Sequence, residues 1–312
     1  MILLRHCHQF ACVDTPTVAT IGNFDGFHLG HQEIFKFVIE QSKQLNASSV
    51  IISFEPSPKE YFSGQNAPAR IYPFRKKLEL ARDIGFDFFV CLNFKHSLSQ
   101  LSGVDFVQNI LHDSLSIKGL VVGDDFKFGH KCSGDIHLLR KMGDALGFQI
   151  TNKSTVSLNY KRISSTLIRN KLAESKFSEV AQLMGRSFTI SGRVFHGDKK
   201  GRTIGFPTAN ILLRRRKSPI SGVFVVNVTN GGSLWQGIAN VGNRPTINGT
   251  RQQLEVHLFD CQQDLYGQRL EVEFLSKVRD EVKFPSLDQL QQQIMLDVTQ
   301  AKEFFSQRTN TQ

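Results

Sequence analysis

Two histidines and three glycines lie close together near the start of the chain, in the run Gly22-Asn23-Phe24-Asp25-Gly26-Phe27-His28-Leu29-Gly30-His31. Glycines let a backbone approach a ligand closely. His28 and His31 are three residues apart, so on a first helical turn they project to the same side. There they can donate hydrogen bonds to phosphate oxygens as charge builds in a transfer reaction. We therefore predict a phosphate site; the alternative is a tight turn with two surface histidines.

Two later segments carry side chains that suit the same chemistry. Asp125, in Gly123-Asp124-Asp125-Phe126-Lys127-Phe128-Gly129, can orient a ribose hydroxyl or a Mg²⁺ shell. Phe126 or Phe128 can stack on a ring, although plain core packing explains them equally well. Ile163-Ser164-Ser165-Thr166-Leu167-Ile168-Arg169 opens a helix, whose hydroxyl residues can cap it, and Arg169 can hold phosphate. Capping alone would explain the serines but not Arg162 and Arg169.

The second half of the chain contains another candidate site. Glycines at 192, 197, 201 and 205 suggest a loop able to wrap phosphates, although a Walker A motif is missing. Thr208 and Asn210 are two apart, so on an extended strand they face the same way and can place two oxygens on one Mg²⁺. Glu255, on the alternating strand Leu254–Leu258, can accept the proton of an attacking alcohol. The alternatives are a polar edge strand and a solvent-facing glutamate.

Alternating strands and helices must position the first site. Apolar strands are predicted at Thr17–Ile21, Val50–Phe54, Phe86–Leu92 and Leu120–Val122. Helices are predicted between and after them, with these apolar positions: Ile34, Phe37, Val38 and Leu45; Leu78, Ala81 and Ile84; Phe106, Val107, Ile110 and Leu111; Leu138, Leu139, Met142 and Leu146. This order predicts an α/β domain with a doubly wound parallel sheet, in which ligands bind beyond the carboxyl ends of the strands.

From about Arg186 the pattern changes to strands separated by glycine-rich turns. Strands are predicted at Phe188–Phe195, Val223–Val228, Leu234–Val241, Leu254–Phe259 and Leu270–Leu275. Such a series is typical of a small antiparallel barrel or sandwich. One amphipathic helix with Ser286 as its N-cap closes the chain. We place the domain boundary near Met184–Phe188, which gives domains 1–184 and 185–312.

Composition narrows the class of protein. A chain of 312 residues with 40% hydrophobic content suits two globular domains. The five cysteines are scattered and odd in number, and the apolar run before Arg5 is too short for a signal peptide, so we expect a cytoplasmic protein without disulfides. The net charge of +10 and the run Arg214–Lys217 leave a nucleic-acid-binding protein as an alternative, but no recognition motif accompanies them.

The motifs of the first half resemble those of the nucleotidylyltransferase superfamily, with its His-x-Gly-His and Ser-Ser-Thr-x-x-Arg signatures. Within it, Gly-Asn-Phe-Asp-Gly-x-His-x-Gly-His and Gly-Asp-Asp-Phe-x-Phe-Gly are similar to the adenylyltransferase module of bacterial bifunctional riboflavin kinase/FAD synthetases. The resemblance implies a Rossmann-like fold, with catalytic roles for His28, His31 and Arg169. The ATP contacts that it implies are Gly22, Asn23, Phe24, Asp25, Gly30, Asp125, Ser165 and Thr166. The flavin contacts that it implies are Pro56, Pro58, Phe62 and Phe128.

The second half resembles the riboflavin kinase module of the same family. The resemblance is carried by Gly-Arg-x-x-Gly-Phe-Pro-Thr-Ala-Asn, Ala-Asn-Val-Gly-x-Arg-Pro-Thr, Leu-Glu-Val-His-Leu-Phe-Asp and Arg-Asp-Glu-x-Lys-Phe. It implies that Thr208 and Asn210 bind Mg²⁺ and ATP, that Glu255 is the catalytic base and that Arg279 contacts the flavin. It also implies ATP contacts at Gly197, Gly201 and Gly205.

The whole set predicts a bifunctional enzyme that phosphorylates riboflavin to FMN and then adenylylates FMN to FAD, with ATP as co-substrate and Mg²⁺ as cofactor. Its expected partners are small molecules, with no nucleic acid, membrane or obligate protein partner. Two alternatives remain at this stage: an enzyme with one active module or another phosphorylated acceptor, and the nucleic-acid-binding protein.

Overall fold

A computed structural model describes residues 1–5, 15–154, 157–158, 161–196, 205–213, 217–246 and 249–309. The chain divides into two compact units, one formed by residues 1–68 and 72–165 and the other by 69–71 and 166–312. Within the described residues, no helix is both long enough and apolar enough to span a membrane.

The first unit contains a six-stranded sheet flanked in sequence by helices. Its strands are β1 (Ile2–Leu4), β2 (Thr17–Ile21), β3 (Ser48–Glu55), β4 (Phe88–Asn93), β5 (Ile117–Gly123) and β6 (Gln149–Lys153). Its helices are α1 (Leu29–Gln44), α2 (Pro58–Ser63), α3 (Phe74–Ile84), α4 (His96–Ser99), α5 (Gly103–Asp105), which continues as a π-helix over Phe106–Ser114, and α6 (Ile136–Leu146). A short ribbon, β7 (Ser157–Leu158) and β8 (Lys161–Arg162), follows.

All neighbouring strands of the sheet are parallel, in the order β1-β4-β3-β2-β5-β6. The chain therefore proceeds from β2 outward through β3 to β4, then returns to the other side of β2 for β5 and β6. This reversal makes the carboxyl ends of β2 and β5 the topological switch point, where ligands bind in open α/β sheets. The predicted doubly wound sheet is confirmed, and the predicted bounds of β2 match the observed ones.

The helix faces differ from the predicted ones in detail. The buried face of α1 consists of Phe35, Val38, Gln41 and Ser42, whereas the sequence predicted Ile34, Phe37, Val38 and Leu45. Leu45 lies beyond the end of the helix and is exposed. In α3 the buried positions are Lys77, Leu80 and Ala81, whereas the sequence predicted Leu78, Ala81 and Ile84. The buried face of this helix therefore includes a lysine.

The second unit contains a closed antiparallel barrel, as predicted. Its strands are β9 (Thr189–Phe195), β10 (Ala209–Leu212), β11 (Gly222–Thr229), β12 (Leu234–Thr246), β13 (Gly249–Leu258) and β14 (Arg269–Arg279). They close in the order β10-β13-β12-β11-β14-β9. Helix α7 (Ser165–Ala173) runs across the division between the units, and α8 (Phe177–Met184) precedes the barrel. Phe177 of α8 stacks on Phe188 and Phe274.

The closing helix, α9 (Leu287–Thr309), packs on the outer face of the barrel. Ala301 and Phe305 join a buried cluster with Val225, Ile238 and Phe259. The predicted cap is present, because the Ser286 hydroxyl accepts a hydrogen bond from the Gln289 N–H at 3.2 Å. The apolar stripe of α9 therefore packs against β11, β12 and β14, since Leu275 and Val278 of β14 also contact this cluster.

Candidate active sites

The loop between β2 and α1 is held in an unusual backbone path by two buried aromatic side chains. Phe24 and Phe27 both have positive φ angles, 45° and 46°, and Gly26 between them has φ 85°. The rings of Phe24 and Phe27 each lie 4.9 Å, centroid to centroid, from Phe35 on α1. The strained conformation therefore persists because the phenylalanines are anchored in the core, a pattern found at ligand sites.

The two predicted catalytic histidines lie together. The rings of His28 and His31 stack with centroids 3.5 Å apart and an interplanar angle of 20°, and the Phe24 ring meets His31 edge-on at 5.2 Å. His28 is only 5% exposed. Residue 30 approaches this pair closely, since a Cβ on Gly30 would lie 3.3 Å from the His28 ring. The spacing thus brings both imidazoles to one side of the first turn, as predicted.

The N-terminus of α1 is well suited to an anion. Its first turn holds no acidic residue, and the described contacts include no cap hydrogen bond from the side chain of His28, the N-cap residue. The first N–H groups of a helix carry a partial positive charge, and here those of His31 and Gln32 donate to the His28 carbonyl oxygen at 2.8 and 3.0 Å. A phosphate placed beside His28 and His31 would lie at this positive end of the helix.

Asp25 anchors the loop on both sides. Its buried carboxylate accepts a hydrogen bond from the Tyr72 N–H at 3.1 Å. Its carbonyl oxygen accepts a hydrogen bond from the Ser165 hydroxyl at 2.8 Å, which ties the start of α7 to the loop. These hydrogen bonds of Asp25 and Ser165 therefore fix the position of the loop between β2 and α1.

Lys77 is a buried cation beneath this loop that the sequence analysis missed. It is 5% exposed, and its ammonium donates a hydrogen bond to the Asn23 carbonyl oxygen at 2.6 Å. The signal was present, because Lys77 shares a helical stripe with Leu80 and Ala81. A lysine on a buried stripe needs a partner, and here one partner is the Asn23 carbonyl oxygen in the loop between β2 and α1.

Asp125 lies after β5, at the same switch point, and is exposed. Its carboxylate accepts a hydrogen bond from the Arg162 guanidinium at 2.6 Å. This contact places a charged pair at the carboxyl end of β5. Phe128, predicted to contact flavin, is buried in the core cluster and lies against Phe106 and Phe126.

Exposed aromatic side chains gather beyond the ends of β3 and β4. Phe62, on α2, is 69% exposed, and its ring lies 5.8 Å from that of Phe94 and 5.1 Å from that of Tyr61. Pro58 is the first residue of α2, and Pro56 precedes it on the exposed surface. Tyr61 and Phe94 were missed by the sequence analysis, since each stands alone outside a motif.

Thr166 and Arg169 belong to the second compact unit. There the Arg169 Nε–H donates a hydrogen bond to the Ala69 carbonyl oxygen at 2.7 Å. Their contacts with a nucleotide remain a prediction.

The barrel brings the predicted kinase residues side by side. Asn210 on β10 pairs in register with Glu255 on β13, and Glu255 pairs in turn with Asn240 on β12. Directly paired residues of antiparallel strands share a face, so these three form a polar row. Buried neighbours Ile211, Leu254 and Val256 face the interior. The row therefore lies on the outer face of the barrel.

Gln253 links the two main members of this row. Its side-chain amide nitrogen donates hydrogen bonds to Asn210 Oδ1 at 2.6 Å and to Glu255 Oε1 at 3.1 Å. Gln253 is 6% exposed. The sequence analysis missed it, because a glutamine two residues before Glu255 is indistinguishable by pattern from another solvent-facing strand position.

A cavity of about 460 Å³ adjoins Thr208 and Asn210. It is lined by residues of β9, β10 and β13 and by the segment after β13, among them Val194, Pro207, Val256, Leu258, Gln262, Asp264 and Tyr266. The mixture of apolar walls with a few polar groups is typical of small-molecule sites.

The other predicted kinase residues have different surroundings. Arg279, predicted to contact flavin, forms hydrogen bonds from Nε and Nη2 to the Asp297 carboxylate on α9 at 2.8 to 3.1 Å. Gly205 has a positive φ of 84°, and a Cβ at this position would meet no described heavy atom within 4 Å. Gly197 and Gly201 lie outside the described residues.

Comparisons with known proteins agree across both units. Residues 11–167 match the FAD synthetase family and residues 184–305 match the riboflavin kinase family. Proteins named bifunctional riboflavin kinase/FMN adenylyltransferase are similar over the whole chain. The relative from Haemophilus influenzae is 44% identical over 98% of this chain and 100% of its own length. That from Escherichia coli K12 is 44% identical over 98% of both chains, and that from Pseudomonas fluorescens 43% over 97% of both.

A solved structure of a Streptococcus pneumoniae protein, described as a macrolide-efflux protein, is also similar. It is 29% identical, the match covers 95% of this chain and 97% of that one, and the TM-score is 0.78.

Proposed function

This chain belongs to the bifunctional riboflavin kinase/FMN adenylyltransferase family, and we propose how its residues divide the two reactions. The enzyme phosphorylates riboflavin with ATP to give FMN, then adenylylates FMN with a second ATP to give FAD and pyrophosphate. We assign FMN adenylylation to residues 1–184 and riboflavin phosphorylation to residues 185–312. The flavins and ATP are its small-molecule substrates.

The observation that best supports the kinase assignment is the pairing of Asn210 with Glu255 across β10 and β13. We propose that Glu255 accepts the proton of the ribityl 5′-hydroxyl as that oxygen attacks the γ-phosphorus of ATP. A bond forms from this oxygen to phosphorus, and the bond from the γ-phosphorus to the bridging oxygen breaks to release ADP. Positioning and electrostatics supply the catalysis in such transfers.

The donor set beside Glu255 fits Mg²⁺. Thr208 offers a hydroxyl oxygen and Asn210 an amide oxygen, and Mg²⁺ prefers hard oxygen ligands. Asn210 Oδ1 accepts a hydrogen bond from Gln253 but has a second lone pair. When bound, Mg²⁺ would neutralise charge on the ATP phosphates. Thr208 and Asn210 would hold the ion; among the described residues, no group of three or more histidine, cysteine or acidic side chains could hold a metal ion.

In the first unit, we propose that a phosphate oxygen of FMN attacks the α-phosphorus of ATP. That bond forms as the bond from the α-phosphorus to the bridging oxygen breaks, and pyrophosphate leaves with the electron pair. His28 and His31 donate hydrogen bonds to the developing charge, and the N-terminus of α1 adds its backbone N–H groups. Gly22, Asn23 and Gly30 let ATP approach this loop, whereas Phe24 and Asp25 hold its shape.

The remaining site residues complete the proposal. Asp125, Ser165, Thr166 and Arg169 are assigned to the adenylyl-transfer nucleotide, with Arg169 as a catalytic cation. Pro56, Pro58 and Phe62 offer an exposed apolar surface on which a flavin ring can stack. Phe128, which is buried, and Arg279, which pairs with Asp297, stay assigned to flavin binding, Phe128 in the adenylyl-transfer site and Arg279 in the kinase site. Gly205 remains assigned to the kinase nucleotide.

One assay tests the function directly. The protein is incubated with ATP, Mg²⁺ and riboflavin, and FMN and FAD are separated by chromatography. Both products are expected, with FMN first. FMN without FAD, or conversion of supplied FMN without phosphorylation of riboflavin, would reduce the proposal to one active module. We also propose a cytoplasmic location, which suits the described cysteines Cys91, Cys132 and Cys261, since none of them forms a disulfide.

A further inference from the structure

Gln253 is a buried amide placed between two residues assigned to chemistry. It lies on β13 two positions before Glu255, so both side chains emerge on the outer face of the barrel. Its amide nitrogen donates to Asn210 Oδ1 at 2.6 Å and to Glu255 Oε1 at 3.1 Å. A primary amide has two N–H donors, so both hydrogen bonds can form at once.

These two hydrogen bonds restrict the groups that the reaction needs. A carboxylate whose Oε1 is held cannot rotate without losing that bond, so the position of Oε2 is also set. The Asn210 amide is restricted in the same way, with its oxygen kept on the shared face. Burial strengthens this effect, because a buried polar group that loses its partner is strongly disfavoured.

We propose that Gln253 is a positioning residue for riboflavin phosphorylation, which holds the Asn210 amide oxygen and the Glu255 carboxylate in a fixed relation. The inference rests on the proposed kinase roles of Asn210 and Glu255. Gln253 acts through these two residues rather than by contact with riboflavin. Substitution of Gln253 should therefore change kcat and the Mg²⁺ requirement more than the apparent affinity for riboflavin.

The test compares two substitutions. Q253L removes the amide, and Q253E keeps its size but, when ionised, has no donor. In both, we expect kcat for riboflavin phosphorylation to fall by about tenfold to a hundredfold, with the riboflavin KM changed by less than about threefold. The Mg²⁺ concentration for half-maximal rate should rise. FMN-to-FAD conversion by the same preparation should keep its rate, which checks the first unit. Urea unfolding followed through Trp235 on β12 checks that the barrel is folded.

Q236L is the matched control, since Gln236 is an exposed glutamine on β12 of the same barrel. It should leave kcat and the Mg²⁺ dependence unchanged. The inference is overturned if Q253E keeps kcat and Mg²⁺ dependence, if the loss lies in riboflavin KM alone, or if Q236L causes the same loss. If Q253L does not fold, the result for Q253E alone tests the positioning role of Gln253.

A third variant separates this inference from the function on which it rests. E255Q should lose riboflavin phosphorylation whether or not Gln253 has a positioning role. An active E255Q would remove the proposed base, and with it the basis of the inference. An inactive E255Q with a fully active Q253E would leave the proposed base in place and refute only the role of Gln253.

Discussion

Arg279 at the end of β14 and Asp297 in the middle of α9 form an ion pair that joins the closing helix to the barrel. The guanidinium reaches both carboxylate oxygens, at 2.8 to 3.1 Å, and Asp297 is only 2% exposed. Gln293, one turn earlier on α9, donates a further hydrogen bond to Asp297 at 3.0 Å. The buried carboxylate therefore receives hydrogen bonds from two sides, from Arg279 and from Gln293.

The first prediction concerns the stability of this unit. R279A should lower the free energy of unfolding of the barrel by about 3 to 5 kcal/mol, because it leaves a buried carboxylate without its counter-ion. Urea unfolding can be followed through the fluorescence of Trp235, the single tryptophan, which lies on β12.

The control for R279A is K277A on the same strand. Lys277 pairs with the exposed Asp280, and exposed pairs contribute about 0 to 1 kcal/mol. A second variant, R279M with D297L, removes both charges and should regain much of the lost stability. Equal stability of R279A and K277A would mean that the ion pair does not hold α9 in place.

The second prediction concerns Lys77. K77M keeps most of the side-chain volume but removes the donor to the Asn23 carbonyl oxygen. The loop between β2 and α1 then loses a charge-assisted hydrogen bond, and FMN adenylylation should fall by about tenfold to a hundredfold. Riboflavin phosphorylation, measured on the same sample, should not change.

The matched control for K77M is K36M, because Lys36 is an exposed lysine on α1. It removes the same charge from the same unit without touching the loop. If K36M lowered adenylylation as much as K77M, net charge rather than the contact with Asn23 would be the cause.

The sequence predicted the central strand β2 but not the two edge strands of the sheet, for physical reasons. The bounds of β2 were predictable because a run of apolar residues ends at Gly22. Strands β1 and β6 were missed, and they are the two edges of the sheet. An edge strand has one neighbour and needs no continuous apolar run, so Ile2–Leu4 is too short and Gln149–Lys153 too polar to stand out.

Some residues of the candidate sites could also be predicted from the sequence, and others could not. Glycine and histidine spacing located the loop at 22–31, since backbone freedom and imidazole chemistry belong to those residue types. Lys77 contacts Asn23, which is distant in sequence. Gln253 contacts Asn210 on the neighbouring strand and Glu255 on its own strand. The burial of Lys77 was visible in its helical stripe with Leu80 and Ala81, but its partner was not. For Gln253 the sequence gives neither the burial nor the partners.

The third prediction uses Gly30. G30A should lower FMN adenylylation, because the new Cβ would lie 3.3 Å from the His28 ring, which would have to shift by a few tenths of an ångström against His31. Alanine within a helix is more favourable than glycine by about 1 kcal/mol. We therefore expect a loss of activity without a loss of thermal stability.

The control for G30A is G232A, since nothing lies within 4 Å of a Cβ at that exposed turn. Measured side by side, G232A should keep both activities. Full adenylylation by G30A would show that the stacked arrangement of His28 and His31 is not required.

The fourth prediction tests the histidines themselves. H28A with H31A should abolish FAD formation from FMN and leave riboflavin phosphorylation intact, because both hydrogen-bond donors to the developing phosphate charge are removed. The single variants assign the separate contributions of the two rings. Adenylylation at the original rate in the double variant would exclude both as catalytic groups.

The fifth prediction isolates the kinase base. E255Q keeps the shape of the side chain but cannot accept the ribityl proton as a carboxylate does, so FMN formation should fall by at least about a hundredfold. FMN supplied directly should still be converted to FAD at the original rate. The matched control is E273Q on β14, whose carboxylate accepts a hydrogen bond from the Asn227 side chain and lies outside the polar row of Asn210, Glu255 and Asn240. Equal loss of both activities in E255Q would show that the two reactions do not use separate sites, whereas loss of phosphorylation alone would locate the base on β13.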